Sequence, residues 1–91
     1  MSKQILIADD SESIREVLSF SLKNAGFQVL VAIDGVDALR YFDGRTIDLL
    51  LTDFHMPNMN GLELISKVRE LEHYKYTPVL VLTTENQKSI I

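Results

Sequence analysis

The apolar positions change rhythm repeatedly along the chain. "QILIADD" is a short Ile- and Leu-dominated run ending in acids, the pattern of a buried strand. Ile14, Val17, Leu18, Leu22 and Ala25 then recur at three- and four-residue spacing, one face of an amphipathic helix. Ser13 with Glu16 suits a capping box and Ser11 is an alternative cap, while Gly26 stops the helix. "FQVLVAI" reads as a second strand, and Asp34 caps a short helix carrying Val36, Leu39 and Phe42 that ends near Gly44. "IDLLLTD" is a third strand. Asn60 and Glu63 bracket the start of a helix with the stripe Leu62, Ile65, Val68 and Leu71. "PVLVLT" is a fourth strand, and "TENQKSII" has the look of a helix just begun, with Thr84 and Gln87 as its capping box.

Strand and helix therefore alternate, which predicts an α/β fold with a parallel, doubly wound sheet. The third and fourth strands are apolar on both faces, as a sheet covered by helices on both sides requires. The chain reads as one small domain over residues 1–91, without linker or repeat. It ends soon after the fourth strand, so that strand is expected to lie unpaired on one side, where it could mediate self-association or a domain swap.

Composition narrows the classes. A hydrophobic share of 46% fits a globular chain. No apolar run approaches the roughly 20 residues of a membrane span, and no signal-peptide pattern precedes "ILIA". There is no cysteine, hence no disulfide framework and no thiolate metal site, which fits a cytoplasmic setting. The net charge of −4, with no basic stripe, disfavours direct nucleic-acid binding.

Part of that acidity is concentrated. In an open parallel sheet, function gathers at the carboxyl ends of the strands. Asp9 and Asp10 follow the first strand, Asp53 ends the third and Thr83 ends the fourth. If the first and third strands are neighbours, their ends lie only about 5 Å apart. Three carboxylates that close call for a cation or for a shared proton. A hard divalent ion, Mg2+, suits an all-oxygen donor set; the absence of cysteine and of a ligand pair formed by the two histidines with each other argues against zinc. A cation beside a carboxylate with a hydroxyl across the site suits phosphoryl chemistry, the carboxylate serving as nucleophile. Taken singly, the acids have plainer readings: Asp9 and Asp10 could start a helix, Asp53 could be a turn residue, and Thr83 could merely end a strand.

The acidic pair, the run "DFHMPNMNG" and "PVLVLTT" together resemble the receiver domain of bacterial two-component response regulators, in register along the whole chain and similar to its single-domain chemotaxis member. The resemblance implies a flavodoxin-like sheet of strand order 2-1-3-4, with a fifth strand, a last helix and a lysine lying past the end of this chain, which would make it C-terminally truncated. It implies that Asp53 is the phosphoacceptor, supplied by a sensor histidine kinase or phosphotransfer protein. Asp10 would bind Mg2+ directly, Asp9 through water, and the His55 backbone carbonyl would complete the protein ligands. Thr83 would be the switch hydroxyl. His55, Thr84 and Glu85 would flank the phosphoryl group, His55 and Glu85 setting its lifetime. Met56 and Pro57 would shape the loop, and Gly61 would permit its tight turn. The chain would then be a phosphorylation switch that assists its own phosphorylation and dephosphorylation, and not a turnover enzyme. Two other classes stand beside this one. One is a structural fragment or interaction module, incompetent in signalling, that associates through the fourth strand. The other is an aspartate-nucleophile phosphatase, for which the adjacent acids fit less well than Asp-x-Asp.

Overall fold

The computed structural model of the chain describes residues 2–82. Four strands, β1 (Gln4–Ala8), β2 (Gln28–Ala32), β3 (Leu49–Asp53) and β4 (Val79–Leu82), alternate with helices α1 (Glu12–Asn24), α2 (Gly35–Leu39) and α3 (Gly61–Glu70). A 3₁₀ turn at Glu72–Tyr74 leads into β4. The sheet is parallel in the order β2-β1-β3-β4. This is the doubly wound, flavodoxin-like arrangement that the alternation and the resemblance predicted.

The pleat of β1 divides the core. Leu6 and Ala8 face one side, where Leu50, Ala38, Phe42, Leu64 and Val68 join them. Ile5 and Ile7 face the other, with Leu51 and the half-buried Leu18, Leu22 and Phe27. Leu6, Leu50, Leu64 and Val68 are fully enclosed; burying each such side chain stabilises by roughly 1.5–3 kcal/mol. At the amino ends of the strands, the Tyr74 hydroxyl donates to the Arg45 carbonyl (2.6 Å) and accepts from the Gly44 amide (2.7 Å). The Tyr74 ring meets Phe42 edge-on at 4.8 Å. Arg69 Nη1 donates to the carbonyls of Tyr74, Lys75 and Thr77, which close the turn before β4.

Several local expectations are corrected. Ser11, not Ser13, caps α1, its hydroxyl accepting the Ile14 amide at 3.3 Å. Val17 and Ala25 do not join the half-buried stripe, which is carried by Ile14, Leu18 and Leu22. α2 stops at Leu39, so Phe42 enters the core from beyond the helix and Val36 faces solvent. In α3 the full capping box of Asn60 and Glu63 forms as predicted, but Gly61, Leu64 and Val68 are the inward positions and Leu62 is exposed. That phase brings Gly61 against the Asp53 carbonyl at the end of β3. As expected, β4 lies at the sheet edge among the described residues, with Leu80 54% and Val81 39% exposed. The helical start predicted for "TENQKSII" lies outside the described residues.

Candidate functional site

β1 and β3 are adjacent, with Ala8 level with Thr52. Their last residues therefore emerge side by side. Asp9 follows β1 directly and is held by its amide, which donates to the Ala32 carbonyl of β2 at 3.2 Å. Its Oδ1 accepts the Ser11 amide at 2.8 Å, and Arg15 Nη1 donates to its backbone carbonyl at 2.8 Å. The remaining oxygen, Asp9 Oδ2, is buried without a hydrogen-bond partner. Asp53 closes β3 and is also buried, its Oδ1 accepting the Phe54 amide at 2.8 Å. Asp10 is exposed beside them. Ligand atoms of Asp9, Asp10 and Asp53 all lie within 4.8 Å of one another, so the three residues read from the sequence meet in one site.

The electrostatics follow from that crowding. Burial pushes the Asp53 carboxyl above its ordinary value, and the Asp9 charge adds to the push, followed by Asp10; the amides of Phe54 and His55 pull the other way. A buried carboxylate oxygen without a partner, next to a carboxyl made reluctant to ionise, is the signature of a site shaped for positive charge. The donor set is all oxygen, which fits a hard cation such as Mg2+.

The loop after β3 forms the opposite wall. A cleft of about 340 Å³ is lined by Asp10, His55, Met56, Pro57 and Asn60. Met56 is buried in the core and Met59 packs against the same cluster, as loop packing required. Pro57 is exposed. The His55 side chain is exposed, its ring edge-on to Phe54 at 4.6 Å. The reason for Gly61 differs from the expected one. Its φ is not positive; instead its Cα lies so close to the Asp53 carbonyl that a Cβ would collide with it. The left-handed residue of the loop is Asn58, at φ 71°. Thr83, Thr84 and Glu85 lie outside the described residues.

Two residues were not singled out for this site, Asp34 and Asn58. Asp34 was read only as a helix cap, and it is one, accepting the Asp37 amide at 2.8 Å. Its other oxygen accepts Nδ2 of Asn58 at 2.8 Å, joining the end of β2 to the loop after β3. The only trace in the sequence is that each is a turn-type residue, Asp before Gly and Asn after Pro.

A parallel sheet of this order, with an acidic trio at the carboxyl ends of its central strands and a proline loop beside it, defines a receiver module. The chain belongs to the response regulator receiver domain family, which it matches over residues 5–91. It is 38% identical over 88 residues to the chemotaxis protein CheY1 of Helicobacter pylori, covering 94% of this chain and 71% of that protein. It is 39% identical over 85 residues to the sensor kinase/phosphatase CqsS of Vibrio cholerae, covering 92% of this chain but only 12% of that protein. Among solved structures it resembles CheY4 of Vibrio cholerae (TM-score 0.90, 39% identity, 99% of this chain and 75% of that one). It also resembles TrrA of Thermotoga maritima, solved in complex with Mg(2+)-BeF (TM-score 0.84, 33% identity, 96% and 75%). The chain is thus a CheY-like receiver of two-component signalling. Among the described residues no helix is long and apolar enough to cross a membrane.

Proposed function

We propose that this receiver accepts a phosphoryl group on Asp53 from the phosphohistidine of a sensor histidine kinase or phosphotransfer protein. The observation that carries it is the meeting of Asp9, Asp10 and Asp53 at the carboxyl ends of β1 and β3. An oxygen of the Asp53 carboxylate attacks phosphorus in line as the P–N bond breaks. The electron pair leaves with the imidazole nitrogen, which takes a proton from solvent, and an aspartyl phosphate remains. Asp10 and the His55 carbonyl would hold Mg2+ directly, Asp9 through water, with Asp53 itself as a further ligand. When bound, the ion neutralises the crowded carboxylates and the phosphoryl oxygens.

The chain's own residues prepare this step. The Phe54 amide on Oδ1 orients the Asp53 carboxylate. Gly61 at the Asp53 carbonyl lets α3 begin close behind it. Burial keeps competing water from the acceptor. Phosphorylation adds roughly −1.5 to −2 charges, which Thr83 would sense as the switch hydroxyl, while His55, Thr84 and Glu85 would govern access and lifetime. The kinship with TrrA supports both parts, since that protein is solved with Mg(2+)-BeF and also in complex with the histidine kinase ThkA. We place the exchange in the cytoplasm, with the chain as one receiver unit acting as a switch.

The test is addition of Mg2+ and beryllofluoride to the protein, followed by amide NMR. Perturbations centred on Asp9, Asp10 and residues 53–61 are expected, and their absence in Asp53→Asn. Unchanged spectra of the wild-type chain would refute the assignment. A second reading rests on one observation, the exposure of Leu80 and Val81 on edge strand β4: the chain would also pair with a second copy there. Sedimentation showing only monomer at high concentration would dismiss it.

A further inference from the structure

Residues 54–60, which supply the outer wall of the cleft, belong to neither strand nor helix. Their ends are fixed: Asp53 closes β3 and is paired with Leu82 of β4, and the Gly61 amide donates to the Phe54 carbonyl at 2.9 Å. Packing of Met56 into the core holds the loop from within, and its Pro57 and Asn60 side of the cleft lies across from Asp10. Two hydrogen bonds reach it from the other half of the sheet. Asn58 Nδ2 donates to Asp34 Oδ2 at 2.8 Å, and the Gly35 amide donates to the Met59 carbonyl at 3.2 Å. Gly35 sits so close beneath that carbonyl that a Cβ would lie 2.5 Å from it. Asp34 is itself rigidly placed. It is 6% exposed, it follows β2, and its second oxygen caps α2 through the Asp37 amide. β2 is paired with β1, the strand that delivers Asp9 and Asp10.

We infer that Asp34 and Asn58 form a positioning clamp that holds the His55–Asn60 loop at the distance from Asp10 at which the cleft binds Mg2+. The inference rests on the receiver reading above. Neither residue touches the reacting atoms; they act through the loop. Asn58 is suited to the task because asparagine tolerates φ 71° while its amide remains free to donate. The clamp explains why the strand that contributes no ligand nevertheless belongs to the site: it anchors one wall while β1 and β3 carry the other.

The experiment is calorimetric Mg2+ titration of the whole chain and its variants, with hydrogen exchange of the Gly35 amide measured in EDTA. Asn58→Gly keeps the backbone conformation and deletes the donor; Mg2+ binding about three- to tenfold weaker is expected, the weight of one hydrogen bond. Gly35 exchange should quicken in the same variant before any metal is added. Asn58→Asp should be weakened too, because two carboxylates then face each other. The pair Asp34→Asn with Asn58→Asp reverses the hydrogen bond at constant net charge, and it should restore affinity to within about twofold of wild type. If wild type binds no Mg2+, or Asp53→Asn binds as well as wild type, the receiver assignment fails and this inference with it. If binding depends on Asp53 but Asn58→Gly and Asn58→Asp match wild type, the clamp alone is overturned. Should Asn58→Gly not fold, the reversed pair decides, and affinity no better than that of Asn58→Asp overturns the clamp.

Discussion

Asp53 and Asp34 are equally hidden, each 6% exposed, and both lie near the carboxyl ends of strands in the same sheet. Their surroundings act in opposite directions. Asp53 shares its space with Asp9 and Asp10, and burial and those charges make ionisation harder. Asp34 receives the Asp37 amide and the Asn58 side chain, and these hold its carboxyl below its ordinary value against the cost of burial. The first region is crowded by like charge; the second is satisfied by donors. Burial alone does not separate a functional carboxylate from a structural one. The sign of its neighbours does.

A glycine stands at each region, which offers the sharpest mutational contrast. Gly61→Ala would drive a Cβ into the Asp53 carbonyl, on paired backbone that cannot give way. Thermal unfolding should show a loss of about 3 kcal/mol, the upper end for overpacking. Gly35→Ala meets the Met59 carbonyl, which belongs to a loop and can retreat, so a loss of about 1 kcal/mol is expected there. Equal losses would mean that the loop is as stiff as the strand.

Next in size is the cap. Asp34→Ala removes the acceptor for Asp37 and Asn58 together and should destabilise by about 2 kcal/mol, on the order of 10 °C in Tm for a chain this small. In metal-free buffer Asp53→Asn should act the other way, raising stability by on the order of 1 kcal/mol as like-charge repulsion is relieved. If both substitutions destabilise, the contrast between the two carboxylates is wrong.

The smallest effect is the pH dependence, and its sign differs between the two. The native state holds the Asp53 proton at pH values where the unfolded chain has released it. That contribution to stability therefore falls as pH rises from the ordinary value of 3.8 through the raised native one. Asp34 is the reverse: its contribution is complete above 3.8 and is lost as pH falls through the depressed native value. Denaturant titrations in EDTA should show Asp53→Asn flattening the decline on the alkaline side of 3.8. Asp34→Asn should leave that side unchanged.

Much of this was legible in the sequence. The alternation of Ile- and Leu-rich runs with helical stripes predicted the strands, and the acids at the ends of "QILIADD" and "IDLLLTD" predicted the trio, because a parallel sheet delivers its strand ends to one edge. Helix phase was not legible in α2 and α3. Val36 and Leu62 are as apolar as any core residue, yet both face solvent, and in α3 the inward positions are Gly61, Leu64 and Val68. The reason for Gly61 was hidden likewise, since close approach and left-handed backbone call for the same residue. The Asp34–Asn58 bond spans 24 residues and joins two ordinary turn residues, so no local pattern announces it.

Everything proposed for the site depends on Asp53 being the acceptor beside a cation. That role is tested most directly by incubating the protein with a small-molecule phosphodonor and Mg2+ and mapping the product by intact and fragment mass spectrometry. A single phosphoryl adduct on Asp53 is expected, lost in Asp53→Asn and lost when EDTA replaces Mg2+. An adduct that persists in Asp53→Asn, or that forms equally well in EDTA, would contradict it.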